Sequence, residues 1–426
     1  MLGLFVSSSY EATASSETAK AERLKAVQDL DSYFKELFQD PWFTSLWTLQ
    51  EAFLCQNAHL LSRNAMPISI APLDGLRPLI RLCDDLSNYC TKADTPDTPH
   101  VPGSPWDVAL RDLHKTLHSR GLPALASNNP LAAYCAAASR QATDQSDYVY
   151  GVQQVFHYRL GKTQEGSNTT QKLSRRHLES QFGARLIEDW PVLSQMHVFT
   201  VPARLGTGWH PSLDSRIPSG PGWSRLTSTW WWKLECLCDI RATSADEGAV
   251  GAFRGRVCQY AAMQGLWSMA ESGRDSDDSH GTRSRPSEPE SLHHIGLDVT
   301  LSIGDVEDPS EPPEYRTRGY ARDIVPGSEQ KALTLWLTEY FGNHLKILLL
   351  GRIVDDLEGR TFQDETYNIG LLLTESDGDE FDSAFRRIGF CYWRSDPLPA
   401  GMEDVQPMLA AFDTHPFWRD LEGHFI

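Results

Sequence analysis

No stretch of this 426-residue chain approaches 18 uninterrupted apolar residues, which excludes a membrane-spanning helix. The opening Met1-Leu2-Gly3-Leu4-Phe5-Val6 has no basic flank and too short an apolar run for a secretory leader. Basic residues are scarce: 39 Lys and Arg face 57 Asp and Glu, a formal net charge of −18. That balance argues against nucleic acid as a partner, because phosphate backbones select concentrated positive charge. Eight cysteines spread over this length make no disulfide framework. The expectation is a protein of the reducing cytoplasm, in which the Asn168-Thr169-Thr170 sequon carries no meaning. A P-loop and a G-x-S-x-G elbow are also absent.

What is present is length enough to bury one large core or two ordinary ones, and 13 tryptophans. The chain is organised around Pro41 to Leu54, PWFTSLWTLQEAFL. Asp40-Pro41 reads as an N-cap and first-turn pair. At helical spacing Trp42, Leu46, Leu49 and Phe53 share one face, and Phe43, Trp47 and Leu54 widen it, so Trp47 is expected in the core. Gln50 lies inside this arc and Glu51 at its edge, where each needs a hydrogen-bonding partner.

Trp42-Phe43 followed by Trp47-Thr48-Leu49-Gln50-Glu51 resembles the WF…WTLQE block of HET domains, the heterokaryon-incompatibility domains of filamentous fungi. Asp147-Tyr148-Val149-Tyr150-Gly151 is similar to the D-x-V/I-Y-G block that follows WTLQE in that family. Pro191-Val192-Leu193-Ser194-Gln195, the LLLGR run at Leu348–Arg352 and RRIGFCYW at Arg386–Trp393 extend the likeness. In all it covers about residues 30–395 in scattered blocks, with Trp42, Phe43, Trp47, Gln50, Glu51, Asp147, Tyr150 and Gly151 as the family-motif residues. The strand blocks that open HET domains are missing ahead of Glu17, so the chain resembles the second half of such a domain with a C-terminal extension. The resemblance implies non-self recognition and incompatibility-type cell death, acting through protein partners, with enzymatic activity residual or lost. The Trp-x-x-x-Glu spacing is also similar to the W-C-x-x-E helix of Toll-receptor-type domains. This implies an alternative, NAD cleavage with Glu51 as the catalytic residue and NAD as the only cofactor. A truncated, non-functional paralogue is a further alternative.

The residues themselves predict an α+β fold, mostly helical in its N-terminal half and β-rich beyond residue 292, with an antiparallel hairpin there. Residues 1–16 read as loosely ordered, 17–90 as the partial HET domain and 91–105 as a proline-rich linker. Residues 106–270 read as a helical and irregular extension, 271–291 as a disordered loop too polar to pack, and 292–426 as the β-rich region. Helices are predicted from Glu17 to Phe38, Leu76 to Tyr89, Trp106 to Arg120 (closed by Gly121), Pro130 to about Arg140, Leu173 to Trp190 and Glu329 to Asn343. A short hairpin is predicted from Ala58 to Ile70, turning near Arg63-Asn64-Ala65. Strands are predicted from Ile295 to Ile303, Lys346 to Val354, Tyr367 to Thr374 and Arg387 to Arg394.

Other chemistry is thinner. His114 and His118 have the i, i+4 spacing of zinc ligands but no third ligand follows, and Cys236-x-Cys238 lacks a second pair, so no metal is expected. Asp377–Asp382 departs from a calcium loop in its glycine position and reads as a hairpin tip. Gly206-Thr207-Gly208 precedes Trp209-His210-Pro211 and cannot start a phosphate-binding helix.

Overall fold

The computed structural model describes residues 17–61, 64–66, 69–70, 73–92, 104–126, 130–163, 173–201, 203, 206–217, 232–245, 248–277, 293–298, 327–355, 366–375, 384–394 and 417–425. The fold is α+β, and the chain divides into two units. The expected loose N-terminus (1–16), most of the linker (93–103), residues 278–291 of the expected loop, the 168–170 sequon and the tip at 377–382 lie outside the described residues.

The first unit holds residues up to 126 together with 139–141. Its helices are α1 (Glu17–Leu37), α2 (Pro41–Thr44), α3 (Leu46–Leu54), α4 (Leu76–Lys92) and α5 (Pro105–His118). They begin where capping chemistry says they should. Asp40 accepts from Trp42 N at 2.9 Å with Pro41 behind it, and Ser104 accepts from Asp107 N at 3.2 Å with Pro105 behind it. Gly121, at φ +69°, bonds back to His118 O and closes α5. The short hairpin forms further along than expected: β1 (Ser69–Ile70) pairs with β2 (Leu73–Asp74), while residues 58–60 are irregular. A bend does fall at Asn64-Ala65, with Ala65 at φ 59°.

The second unit opens with α6 (Pro130–Ala137), α7 (Asp147–Tyr150) and α8 (Arg175–Asp189), followed by a small ladder of β3 (Val198–Phe199) and β4 (Ser215–Arg216). Then comes an eight-stranded sheet. Its strands are β5 (Trp232–Cys236), β6 (Asp239–Ala245), β7 (Gly248–Gln259), β8 (His293–Leu297), β9 (Leu345–Asp355), β10 (Thr366–Glu375), β11 (Ala384–Arg394) and β12 (Arg419–Phe425). Helices α9 (Tyr260–Asp277) and α10 (Gly327–Phe341) lie between them in sequence. The pairings β9–β10, β10–β11, β11–β12, β12–β7 and β7–β9 close a ring of strands, parallel only at β11–β12. Residues 232–259, read from sequence as helical or irregular, are thus three strands of that same sheet. Residues 271–277, read as part of a disordered loop, belong to α9.

Alternation along the central strands serves two apolar layers. Leu348, Leu350, Ile353, Tyr367, Ile369, Leu371, Leu373, Phe390 and Tyr392 join Trp209, Met196 and Phe253 on one face. Leu345, Ile347, Leu349, Leu372, Cys391 and Trp393 join Met263 and Trp267 of α9 and Leu333 and Leu337 of α10 on the other. Covering both faces explains why these strands read as continuous apolar runs.

Two bulges punctuate the sheet. The β9–β10 register skips Leu350, and the β10–β11 register skips Ile388. At each one the bulged strand changes its other neighbour: β9 pairs β7 at 346–348 and β5 at 351–355, and β11 pairs β12 at 384–385 and β8 at 389–393. A glycine follows each bulged residue. A Cβ at Gly351 would stand 2.4 Å from Glu235 O, and one at Gly389, with φ +151°, 2.2 Å from Gly296 O. Backbone on the incoming strand cannot give way as a flexible side chain would. Gly351→Ala and Gly389→Ala are each expected to lower unfolding free energy by about 2 kcal/mol or more. Denaturant midpoints equal to the wild type would show that the approach is not limiting.

Candidate functional site

The family-motif stretch is not one helix. Ser45 takes an extended conformation (φ −71°, ψ 136°) between α2 and α3 and forms a parallel bridge with Gln141. Leu46 N donates to Gln141 O at 3.1 Å, and Gln141 N donates to Thr44 O at 2.8 Å. The carbonyls left over at the break are collected by two side chains. Thr48 Oγ1 donates to Ser45 O at 2.8 Å and to Trp42 O. The buried guanidinium of Arg140 reaches Trp42 O at 3.3 Å, Thr48 Oγ1 at 3.4 Å and, through Nε, Arg120 O at 2.9 Å. Burial pulls its pKa down to about 10, so Arg140 stays cationic at neutral pH among these oxygens.

The break resets the helical phase. Phe43, Leu46, Leu49 and Ala52 are buried, Trp42, Gln50 and Phe53 are half-buried, and Trp47, Glu51 and Leu54 face outward. The expectation that Trp47 belongs to the core is corrected: it is 48% exposed, and Leu54 is 50% exposed. Glu51 therefore stands on an exposed stripe at i, i+4, i+7 with Trp47 and Leu54, not within an aromatic enclosure. The second motif block lies in the other unit. There Asp147 is half-buried, Tyr150 is buried, and Gly151 is buried and donates its N–H to Asp147 O at 2.6 Å, a capping role.

Two further blocks of the resemblance meet in the second unit. Pro191–Phe199 and Arg386–Trp393 are joined through His197 and Arg387, 190 residues apart. Arg387 NH1 lies 3.1 Å from His197 Nε2 and NH2 donates to His197 O, while Nε forms an ion pair with Asp298 Oδ2 at 3.4 Å. The guanidinium sits 5.3 Å from the centroid of the Phe199 ring. Asp298 accepts from Phe199 N at 2.9 Å and donates its own N–H to Ile388 O, the carbonyl of the bulged residue, at 2.9 Å. His197 Nδ1 lies 2.9 Å from Ser194 O, which assigns the proton to Nδ1 and leaves the Nε2 lone pair toward Arg387. Gln195 Nε2 donates to Trp209 O at 2.9 Å, and His210 Nδ1 donates to Pro211 O at 3.0 Å.

All of these side chains are buried, His197 and Gln195 completely. Burial, then the Arg387 charge, holds His197 well below the ordinary histidine range, and burial lowers His210 to about 4. Burial raises Asp298 despite Arg387, and it raises Glu179, which accepts from Tyr134 OH at 3.0 Å and from Leu213 N at 3.2 Å. A set this enclosed holds loops onto strands. The one signal available in sequence was a charged Arg387 inside an apolar strand.

The remaining candidates are simpler. His114 and His118 pack with their rings tilted at 42° and centroids 4.4 Å apart, and His118 Nε2 lies 2.7 Å from Ser87 Oγ. Among the described residues no group of three or more His, Cys, Asp or Glu is arranged to hold a metal ion. Gly206 turns at φ +76° and accepts from Trp209 Nε1 at 2.9 Å. No helix among the described residues is long and apolar enough to cross a membrane. No protein-family model, no curated protein and no solved structure matches this chain.

The first expected outcome separates the two faces of α3. Leu49→Ala should cost about 2–5 kcal/mol as a core cavity, whereas Trp47→Ala should stay within about 1 kcal/mol of wild type because it removes solvated surface. Equal losses in urea unfolding would put Trp47 back in the core. The second concerns pH. Above the unfolded value of about 6.5 both histidines are neutral in either state; below it the unfolded chain takes up protons that the buried rings refuse. Stability should therefore fall on acidification, by up to about 1.4 kcal/mol per pH unit for each histidine. For His210 the loss ends near pH 4, where the native ring itself protonates. Asp298 and Glu179, raised by burial, act in the opposite sense once the pH nears their native values. Urea midpoints between pH 7.5 and 5.5 should show about 2.7 kcal/mol of loss, roughly halved in His210→Gln. An unchanged slope in that variant would remove His210 from the account.

Proposed function

We propose that this chain is a HET-type recognition protein that acts in the cytoplasm through protein–protein contact, using the outward stripe of α3. The carrying observation is that the helix with the WTLQE block buries Leu46, Leu49 and Ala52 while leaving Trp47 and Leu54 about half exposed, with Glu51 between them. Exposed tryptophan beside leucine and a single charge is the composition of an interface centre, since large aromatics supply most of the affinity at contact surfaces. The net charge of −18 favours a protein partner over a nucleic acid. By resemblance, the consequence of that contact is non-self recognition leading to incompatibility-type cell death. The position of Glu51 supports the same reading, because a glutamate used to cleave NAD needs an enclosed, water-poor site around the reacting ribose.

The test places a photoreactive amino acid at position 47 of the full chain in a filamentous fungus. A discrete adduct with another protein is expected. Excess wild-type protein should compete it away, and the Trp47→Ser/Leu54→Ser variant should not, at unchanged thermal unfolding. Absence of an adduct, or equal competition by the two proteins, overturns the contact reading. NAD consumption by the purified chain that is abolished in a folded Glu51→Gln variant would put catalysis in its place.

A further inference from the structure

Cys236 ends β5 and Cys238 sits in the bend before β6. Residues i and i+2 of an extended chain project to the same side, so the spacing alone points both thiols one way. The structure tightens that arrangement. Leu237 N donates to Leu350 O at 2.9 Å, which anchors the middle of the Cys-x-Cys turn on the bulged residue of β9. On β7, a Cβ at Gly255 would stand 2.9 Å from Cys238 Cβ, so the glycine is what lets Cys238 press against the sheet. The Cys236 thiol donates to Cys238 O at 2.9 Å, which ties its sulfur to the turn that carries Cys238. Cys236 is exposed and Cys238 half-buried.

We propose that Cys236 and Cys238 form a redox-active dithiol, with Cys236 the thiol that attacks hydrogen peroxide and Cys238 the thiol that resolves it. Access assigns the roles: the exposed sulfur meets the oxidant, and the half-buried sulfur two residues on resolves it. The neighbouring thiol lowers Cys236 and raises Cys238, the same assignment that their exposures make. In the first step the Cys236 thiolate attacks one peroxide oxygen; the O–O bond breaks, Cys236 becomes a sulfenic acid, and the departing oxygen leaves as water after taking a proton. In the second, Cys238 sulfur attacks the Cys236 sulfur; the S–S bond forms and the sulfenic oxygen leaves as a second water. Two electrons pass from the sulfurs to the peroxide. A low-molecular-weight dithiol returns them by exchange at the exposed Cys236 sulfur.

The other described cysteines provide internal controls. Cys83, Cys258 and Cys391 are buried, and burial raises each of them. Cys55 is exposed like Cys236 but has no thiol neighbour at this spacing.

The experiment treats the reduced full chain with about one equivalent of hydrogen peroxide and follows intact mass and peptide maps. A loss of about 2 Da, located to the Cys236–Cys238 peptide and reversed by dithiothreitol, is expected. Cys238→Ser should instead accumulate a sulfenic acid at Cys236, trapped by dimedone, while Cys236→Ser should leave Cys238 unmodified at the same dose. Labelling of Cys236 should outpace that of Cys55 by about tenfold. Failure of the bridge to form in the wild type, or equal labelling of Cys55 and Cys236, overturns the proposal. Thermal unfolding of both serine variants at the wild-type temperature keeps misfolding out of the comparison.

Discussion

The constraint on which the second unit depends is the approach of two backbones at each bulge. A strand that pairs with one neighbour and then with another must leave the ladder between them, and one extra residue does this. At Leu350 and at Ile388 the extra residue turns its carbonyl out of the register, and a neighbouring segment takes it: Leu237 N in one case, Asp298 N in the other. The glycine that follows allows the incoming strand to close on the sheet. The LLLGR and RRIGF runs thus share one physical meaning. Their apolar residues fill two layers, and their glycine marks where the strand changes partner.

In the first unit the equivalent constraint is the fate of the carbonyls at a helix break. Four carbonyls at any helix end lack intrahelical partners, and a buried end must find them elsewhere. Here Thr48, inside the WTLQE block, and Arg140, nearly a hundred residues away, supply the donors. Helix α3 starts a phase of its own after Ser45, and the outward stripe that supports the recognition reading belongs to that phase.

Much of the fold was legible. Capping residues at Asp40 and Gly121 placed helix ends, and the apolar runs placed β9 and β10 to within a residue at each end and β11 to within three at its start. What escaped had specific causes. The strand β7 contains Gly248, Gly251 and Gly255, which erase alternation; two of them are there because Trp209 and Cys238 press close, a tertiary fact with no local trace. The Trp47 error came from carrying one helical phase through Ser45, whose extended backbone is stabilised by Gln141. His197, Asp298 and Arg387 are separated by 190 residues end to end, and only the sheet topology makes them neighbours.

Set side by side, the two bulges show how burial decides chemistry when geometry is shared. Each presents one carbonyl to the amide of an adjoining turn, and each turn carries titratable groups. At Ile388 the turn is covered by Phe199 and the 191–199 segment. The groups there have lost solvent, so a cation, a carboxylate and a neutral imidazole satisfy one another and are fixed in place. At Leu350 the turn stands at the surface, and its groups are thiols. A thiol pays little for partial burial and needs contact with an oxidant to react. The same backbone device yields a lock where it is enclosed and a reactive pair where it is open, and the difference follows from what covers each turn.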